Sequence, residues 1–429
     1  MDGLASLITA PVYPWDAVIC TSQAVHQNVT HILRAQVDYL KDRLGIGKVI
    51  LPKLPVIPLG IHTADFDFTP AQRQQARQSW GVEDDALVVL FVGRLSFHAK
   101  AHPLAMYQAL DVAAKKTGKK IVLVECGWFA NEYIQKSYAE AAKQYCPDVE
   151  VLHLDGRVAE NRVAAWAGAD VFCSLSDNFQ ETFGITPIEA MAAGLPVVVS
   201  DWDGYRDTVR QGIDGFRVPT VIPPAGLGRD LAQRHALGID NYDMYCGYTC
   251  SFVAVDIHAA AQAFIDLFNS PELRKTMGQA GRTRARAVYD WAHIIPAYES
   301  LWQELGQIRA HESARFAALP HPWPERLDPF FSFQSYASRI LTPELRVRRV
   351  DTDGRAAQDK LTQLSQLAML NFAGVVLPSR QELEGMVAAA DPNGQPALAL
   401  VAHVEEARKA MAFRSIAWLI KIGLLAVVA

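Results

Sequence analysis

The chain has 429 residues, 50% of them hydrophobic and 20% charged, with a formal net charge of −5. That length can hold two or three domains and a substantial core, and the balance is that of a folded protein, which excludes disordered and fibrous classes. The mild acidity leaves no electrostatic footprint for nucleic acid, so no nucleic-acid partner is expected.

The six cysteines are scattered, and Cys20, Cys126 and Cys173 sit in or beside apolar runs where a thiol packs as a small hydrophobe. A reducing compartment follows. Cys246 and Cys250 form C-x3-C without a second ligand pair at zinc-like spacing, and no metal is assigned. Met1-Asp2-Gly3 lacks the basic and apolar regions of a signal peptide. The most apolar stretch, Ile416 to Ala429, is interrupted by Lys421 and falls short of the ~20 residues that span a bilayer. It reads as a core or interfacial helix. The expected location is therefore cytoplasmic, with peripheral association at the inner face of the membrane left open.

In chain order, Ala17–Cys20 reads as a strand, and Ser22 caps a helix that ends near Gly45. Val56-Ile57-Pro58 leads into Leu59-Gly60-Ile61. Two strands and one helix cannot close a core, so residues 1–79 are expected to be the tail of a domain whose beginning is absent. From Ala86 to about Ser200, apolar runs at Ala86–Val92, Ile121–Val124, Val149–Leu154, Val171–Leu175 and Val197–Val199 alternate with helical segments. The helices fall at Leu104–Ala114, Glu132–Gln144, Val163–Ala167 and Pro187–Ala193. Strand and helix in turn imply a parallel sheet covered on both faces, with its ligands at the carboxyl ends of the strands.

After Gly215–Val218, the stretch Pro219 to Val255 reads as irregular and too long for a plain connector. Asp256 and Ser270-Pro271 then open helices, and a third runs from about Ala292 through Leu305. Residues 80–310 are thus one complete Rossmann-like domain. Residues 311–343, with His321-Pro322-Trp323-Pro324, read as a linker. Residues 344–429 read as a small helical module with segments Ala356–Leu370, Ser379–Ala389 and His403–Gly423, Ser379 and Glu382 having capping-box spacing. The Arg346/Arg348/Arg349 cluster reads as a solvated strand edge.

Three segments resemble glycosyltransferase family 4. Ile57-Pro58-Leu59-Gly60-Ile61-His62 with Phe66 is similar to its interdomain segment. Phe91-Val92-Gly93-Arg94-Leu95-Ser96 with Lys100 resembles its phosphate segment, although Ala101-His102-Pro103 stands where members often have Gly. Glu181 to Val198 resembles its E-x7-E signature, Glu181 and Glu189 being the two acids. Gly204, Gly212 and Gly215 also fall where the family has glycine. The resemblance spans roughly residues 15–308. It implies an α/β chain of the two-Rossmann GT-B type, a metal-independent retaining transferase taking a nucleotide-diphosphate sugar as donor and no separate cofactor. The implied acceptor is a polysaccharide, glycoconjugate or lipid-linked glycan. It also implies that residues 1–79 are what remains of the acceptor-side Rossmann domain, which would leave this chain inactive alone.

On chemistry, Arg94 and Lys100 just past a strand end suit a diphosphate leaving group, Arg bidentately and Lys as a mobile charge. Solvated loop cations are the plainer alternative. The N–H groups of Phe183, Gly184 and Ile185 enter a helix expected to start at Pro187 and form a phosphate cradle. By resemblance, Glu181 contacts the donor sugar and is the catalytic candidate, and Glu189 contacts the ribose. Glu189 is open to a second reading, because Thr186-Pro187-Ile188-Glu189 spells a capping box. Asp65-Phe66-Asp67 and Asp201-Trp202-Asp203 spell D-x-D, but the second follows a buried strand, where helix capping is the better reading than metal. His98 and His102 flank Lys100 as loop residues, either of which could reach an acceptor or phosphate; sugar transfer by this chain alone would make them, with His62, the next candidates for a catalytic group. Two rivals remain: a sugar-nucleotide epimerase of the same fold, and a non-catalytic nucleotide-sugar sensor whose output is the C-terminal module.

Overall fold

The computed structural model describes residues 2–316 and 327–428. They fall in two compact units, Met1–Pro322 and Trp323–Ala429. The first unit is α/β and built on a six-stranded parallel sheet. Its strands are β1 (Leu87–Val92), β2 (Ile121–Gly127), β3 (Glu150–Asp155), β4 (Val171–Ser174), β5 (Val197–Ser200) and β6 (Gly215–Val218), in the order β3-β2-β1-β4-β5-β6. The interior strands are continuous apolar runs because both faces are covered. Along β1, Leu87, Val89 and Phe91 pack with the helices Leu104–Thr117 and Ile257–Asn269. Val88 and Leu90 pack on the other side with Ala159–Gly168 and Ile185–Ala192. The single alternation of a strand thus feeds two cores.

The amino ends of β1 and β4 are tied together by Arg77, which is buried (4% exposed). Its guanidinium donates to Asp170 Oδ2 at 3.1 Å and to the carbonyls of Glu83 (2.8 Å) and Ala86 (2.6 Å), while Asp170 Oδ2 also accepts from the Val88 N–H at 2.8 Å.

The first residues dock on this unit. The expected strand at Ala17–Cys20 is reduced to isolated parallel bridges, Ala17 to Lys53 and Cys20 to Val56. The helix Gln23–Leu44 is as expected, with Ser22 accepting from the Val25 N–H and Gly45 closing it in the left-handed region. Ile57 and Ile19 pack against Ile294, Leu301 and Tyr298 of the helix Trp291–Glu312. That helix carries the start of the expected linker through Glu312; residues 317–326, which include His321-Pro322-Trp323-Pro324, lie outside the described residues.

The stretch Pro219 to Val255 is not irregular. It folds as a hairpin of β7 (Thr220–Val221) and β8 (Ala254–Val255) enclosing the helices Arg229–Ala236 and Tyr242–Cys250. Asn241 caps the second helix, accepting from the Met244 N–H. Polar turn residues between short helices concealed this periodicity in the sequence.

The second unit is not purely helical. β9 (Arg346–Arg349) lies between β10 (Gln395–Pro396) and β11 (Leu425–Val427) in an antiparallel sheet. The arginine cluster is therefore a central strand, with Val347 fully buried, and not a solvated edge. The apolar C-terminus divides into the helix Lys409–Lys421 and β11, because Gly423 turns the chain at φ 71° between them. The capping box at Ser379 and Glu382 is present on the helix Arg380–Ala389.

Arg77→Met keeps the apolar stem and removes the guanidinium from several buried acceptors. It should cost about 3–5 kcal/mol of stability. Urea unfolding of the variant measures this, and a loss below about 1 kcal/mol would show that the clamp contributes little.

Candidate functional site

β1 and β4 are neighbours in the sheet, yet the helices that follow them cover opposite faces. This strand order reverses between them, and the crevice left at their carboxyl ends is where such sheets hold ligands. Two loops meet there. The loop after β1 runs from Gly93 to Ala101, and the loop after β4 from Leu175 to Gly184.

Side chains stitch the loops together. Ser176 Oγ donates to the Lys100 carbonyl at 3.2 Å, Asn178 Nδ2 donates to the His98 carbonyl at 3.2 Å, and the His102 N–H donates to Asp177 Oδ1 at 3.2 Å. Burial pushes the Asp177 carboxyl up to about 7 and holds the His102 imidazole below its ordinary value. At the centre, the Lys100 ammonium forms an ion pair with the Glu181 carboxylate. The lysine stem lies over Gly93, where a Cβ would stand 3.4 Å from Lys100 Cε. Tyr205 approaches the same carboxylate, its hydroxyl 3.4 Å from Glu181 Oε2 and 2.8 Å from Ser174 Oγ. Burial, and secondly the charge of Glu181, holds Tyr205 far above the usual phenol range, so it remains a neutral donor.

The signature helix is Ile185–Ala192, and it starts two residues earlier than expected. Gly184 is its N-cap at φ 84°, a left-handed conformation that suits glycine, and Pro187 falls within the first turn, where its missing N–H costs nothing. Thr186 is consequently inside the helix and cannot cap it. The capping-box reading of Thr186 and Glu189 is therefore overturned: the cap has no side-chain hydrogen bond, and Thr186 Oγ1 is buried with no partner among the described residues.

The sequence-selected residues fall into distinct places. Gly93, Lys100, Glu181 and the start of the Ile185 helix share the crevice, with Phe183 buried and contributing its backbone. Arg94 is exposed and donates to the Ala99 carbonyl at 2.9 Å, bracing its own loop. Glu189 lies farther along the helix, its carboxyl pushed up to about 7 by burial, with the nearby charge of Arg162 opposing the rise. His98 faces the insertion, 3.4 Å from Asp243. His62 is exposed at the N-cap of Thr63–Phe66.

The D-x-D segments are engaged otherwise. Asp67 pairs with Arg282 and Arg286. Asp201 lies 3.4 Å from Arg217 Nε. The expected helix capping by Asp201-Trp202-Asp203 does not occur, because Gly204 is the N-cap of Tyr205–Thr208. Cys246 and Cys250 are buried free thiols.

Several contributors were not selected from sequence. Gly127 and Gly156 end β2 and follow β3 and pack in series behind Gly93: a Cβ on Gly127 would lie 1.9 Å from the Gly93 carbonyl oxygen, and one on Gly156 would lie 2.9 Å from Gly127 Cα. A glycine at the carboxyl end of each adjacent strand was the available signal. Tyr205 and Trp202 carried no sequence signal of their own.

Comparison with known proteins bears on this domain. Residues 72–231 match the family Glycosyl transferases group 1. The chain is 34% identical over 198 residues to a D-inositol 3-phosphate glycosyltransferase of Geodermatophilus obscurus, covering 42% of this chain and 41% of that protein. It is 29% identical over 186 residues to the glycosyltransferase MJ1607 of Methanocaldococcus jannaschii, covering 42% and 45%. The chain thus spans less than half the length of the curated relatives it matches. Among solved structures, a glycosyltransferase of Rickettsia africae aligns over 71% of this chain and 67% of its own at 16% identity and a TM-score of 0.48.

No helix among the described residues is long and apolar enough to cross a membrane.

The raised carboxyl of Glu189 gives a signed pH effect. A carboxyl whose folded value exceeds its unfolded one favours the folded state at low pH, and that advantage is lost as pH rises through the folded value, here from about 4.5 to about 7. Glu189→Gln removes the cost of burying the ionised form. Relative to the parent, the variant should therefore gain stability between pH 5 and 8, by up to about 3 kcal/mol. Thermal unfolding at the two pH values checks this; an unchanged difference would place the Glu189 carboxyl in a solvated setting.

Proposed function

We propose that this domain binds a nucleoside-diphosphate sugar in the β1/β4 crevice and serves a glycosyltransferase that is retaining, metal-independent and cytoplasmic. The proposed acceptor is a polysaccharide, glycoconjugate or lipid-linked glycan. The observation that carries this reading is the Lys100–Glu181 ion pair set over Gly93, beside the N-terminus of the Ile185–Ala192 helix.

Each part has a role in that chemistry. Breaking the bond between sugar and diphosphate leaves negative charge on the leaving phosphate, and fixed donors in a crevice stabilise it more than water does. Lys100 exchanges its carboxylate partner for phosphate oxygens as the donor arrives, and Arg94 adds a bidentate contact from the loop rim. The N–H groups of Gly184 and Ile185, with the helix dipole behind them, complete the cradle. The buried, unpartnered Thr186 hydroxyl supplies a further donor there. Released from Lys100, Glu181 accepts hydrogen bonds from hydroxyls of the donor sugar and, as a carboxylate, stabilises positive charge at its anomeric carbon, held in place by Tyr205. Glu189 accepts from the ribose hydroxyls.

Calorimetric titration with UDP, GDP and ADP, with and without chelator, tests the donor site. Arg94→Ala and Lys100→Ala should each weaken the preferred nucleotide ten- to a hundredfold, the loss of a charge-assisted contact of about 1.5–3 kcal/mol. Unchanged affinity in both variants, or strict dependence on metal, would refute the site.

Glu181→Gln has a different expected signature. It removes the carboxylate that competes for Lys100, so bare diphosphate should bind at least as tightly as to the parent. Turnover of the sugar nucleotide should meanwhile fall by about a hundredfold or more. Equal losses in binding and turnover would remove the sugar-side assignment of Glu181.

A further inference from the structure

The insertion between β6 and the Ile257–Asn269 helix has no part in the donor chemistry above, yet it stands against the same loops. A Cβ on Gly247 of the helix Tyr242–Cys250 would lie 3.3 Å from His98 Cβ, so this helix seats directly on the loop that carries Lys100. Between the insertion, the loop after β4 and the loop after β5 lies a cavity of about 600 Å³. That volume is within the roughly 300–1,000 Å³ of small-molecule sites.

The lining has a definite chemistry. Four aromatic side chains, Phe179, Trp202, Tyr242 and Tyr245, share it with two carboxylates, Asp201 and Asp203. Phe179 meets Trp202 edge to face at 5.3 Å, and the Trp202 indole N–H donates to the Asn178 carbonyl at 3.0 Å, which fixes the ring. Aromatic rings offer apolar faces to the C–H surface of a pyranose, and carboxylates accept from its hydroxyls. Arg206 also lines the cavity, 3.8 Å from Asp201 Oδ1, and offsets one of the two carboxylates, so the lining offers donors and acceptors with little net charge. An uncharged polyhydroxylated ligand suits this lining.

Asp203 also carries strain. Among the described residues it is the sole non-glycine with positive φ, at 42°. Ser22 Oγ donates to its Oδ1 at 3.3 Å, and its carboxyl is raised to about 6, by burial first and in part by the charge of Glu181. A strained, partly desolvated carboxylate facing a cavity is a feature of binding sites.

We propose that this cavity is a saccharide subsite that receives the acceptor glycan, its inner wall formed by the loop that bears Glu181 and its outer wall by the insertion. The saccharide's role as acceptor rests on the glycosyl-transfer reading; its binding rests on the cavity alone. Phe179 stands two residues before Glu181, so a sugar seated here presents a hydroxyl toward the crevice where the donor is held.

The test uses the full 429-residue chain. Maltose, cellobiose and lactose serve as probes and glycerol as the control, read by saturation-transfer NMR and calorimetry. At least one disaccharide should bind saturably with a Kd of about 1–10 mM, and glycerol should not. Tyr245→Ala and Asp203→Asn should each weaken it at least tenfold. Asparagine tolerates the left-handed backbone and keeps the acceptor for Ser22, so the second variant remains informative if the first fails to fold. Nucleotide affinity should be unchanged in both. Absence of saturable binding up to about 50 mM of every disaccharide would overturn the proposal. So would UDP displacing the sugar while Tyr245→Ala weakens UDP equally, since the cavity would then belong to the nucleotide. Disaccharide binding that persists in a chain unable to bind any nucleotide would sink the donor-site reading and support this one.

Discussion

An ammonium and a nearly buried carboxylate facing one another across the seam of a sheet are costly to desolvate, and they hold only where neighbours supply further hydrogen bonds. Lys100 and Glu181 meet this condition through the residues packed around them. Tyr205 gives Glu181 a second donor and anchors itself on Ser174. For Tyr205 to reach that position its ring must pass Gly184, where a Cβ would lie 2.0 Å from the ring. Its helix must also begin at Gly204, where a Cβ would lie 2.4 Å from Phe183 Cα. The glycines of the signature region are thus required by one ion pair and the tyrosine beside it. The same Gly184 then supplies the left-handed turn that starts the signature helix and aims its N–H groups into the crevice.

Much of this was legible in the sequence because the parallel sheet writes itself plainly. Strands buried on both faces have to be continuous apolar runs, and five of the six were read within a few residues of their observed ends. Helix starts at Ser22, Asp256 and Ser270 were legible for the same local reason, since each side chain satisfies an orphan N–H. The start of the Ile185–Ala192 helix was misplaced because Thr186 and Glu189 match a capping box by spacing, while the actual cap is a glycine whose conformation no spacing reveals. The insertion was missed for another reason. The helix Arg229–Ala236 buries no residue, so no apolar stripe marks it. In the C-terminal unit, strands of two to four residues are too short to show alternation: Arg346–Arg349 reads as a solvated strand edge and Leu425–Val427 as part of an apolar helix.

Long-range pairings at the site were illegible altogether. Nothing near Glu181 in the sequence points to Tyr205 or Lys100 as its partners, and nothing near Asp203 points to Ser22, 181 residues away. These contacts exist because the strand order brings the ends of β1, β4 and β5 side by side. Topology, which a sequence read alone supplies only by analogy, decides them.

The helix Gln23–Leu44 adds a constraint of its own. Its first N–H, on Gln23, donates to Asp207 Oδ2 at 2.6 Å, and its cap residue Ser22 donates to Asp203. The positive end of a 22-residue helix therefore rests on the loop after β5 and favours negative charge there. Charge is consequently sorted along the crevice. Arg94, Lys100 and the Gly184-capped helix end make one side cationic, while Asp203 and Asp207 make the other rich in carboxylates, Asp201 there being offset by Arg206 and Arg217. Glu181 stands on the boundary, paired to the cationic side and electrostatically coupled to Asp203 on the other. On the proposed reading a diphosphate goes to the first side and an uncharged, hydroxyl-bearing ligand to the second. Because the field is set by backbone ends and loop positions fixed by the sheet, it exists before either ligand arrives, and the one rearrangement the proposed chemistry requires is the transfer of Lys100 from Glu181 to phosphate.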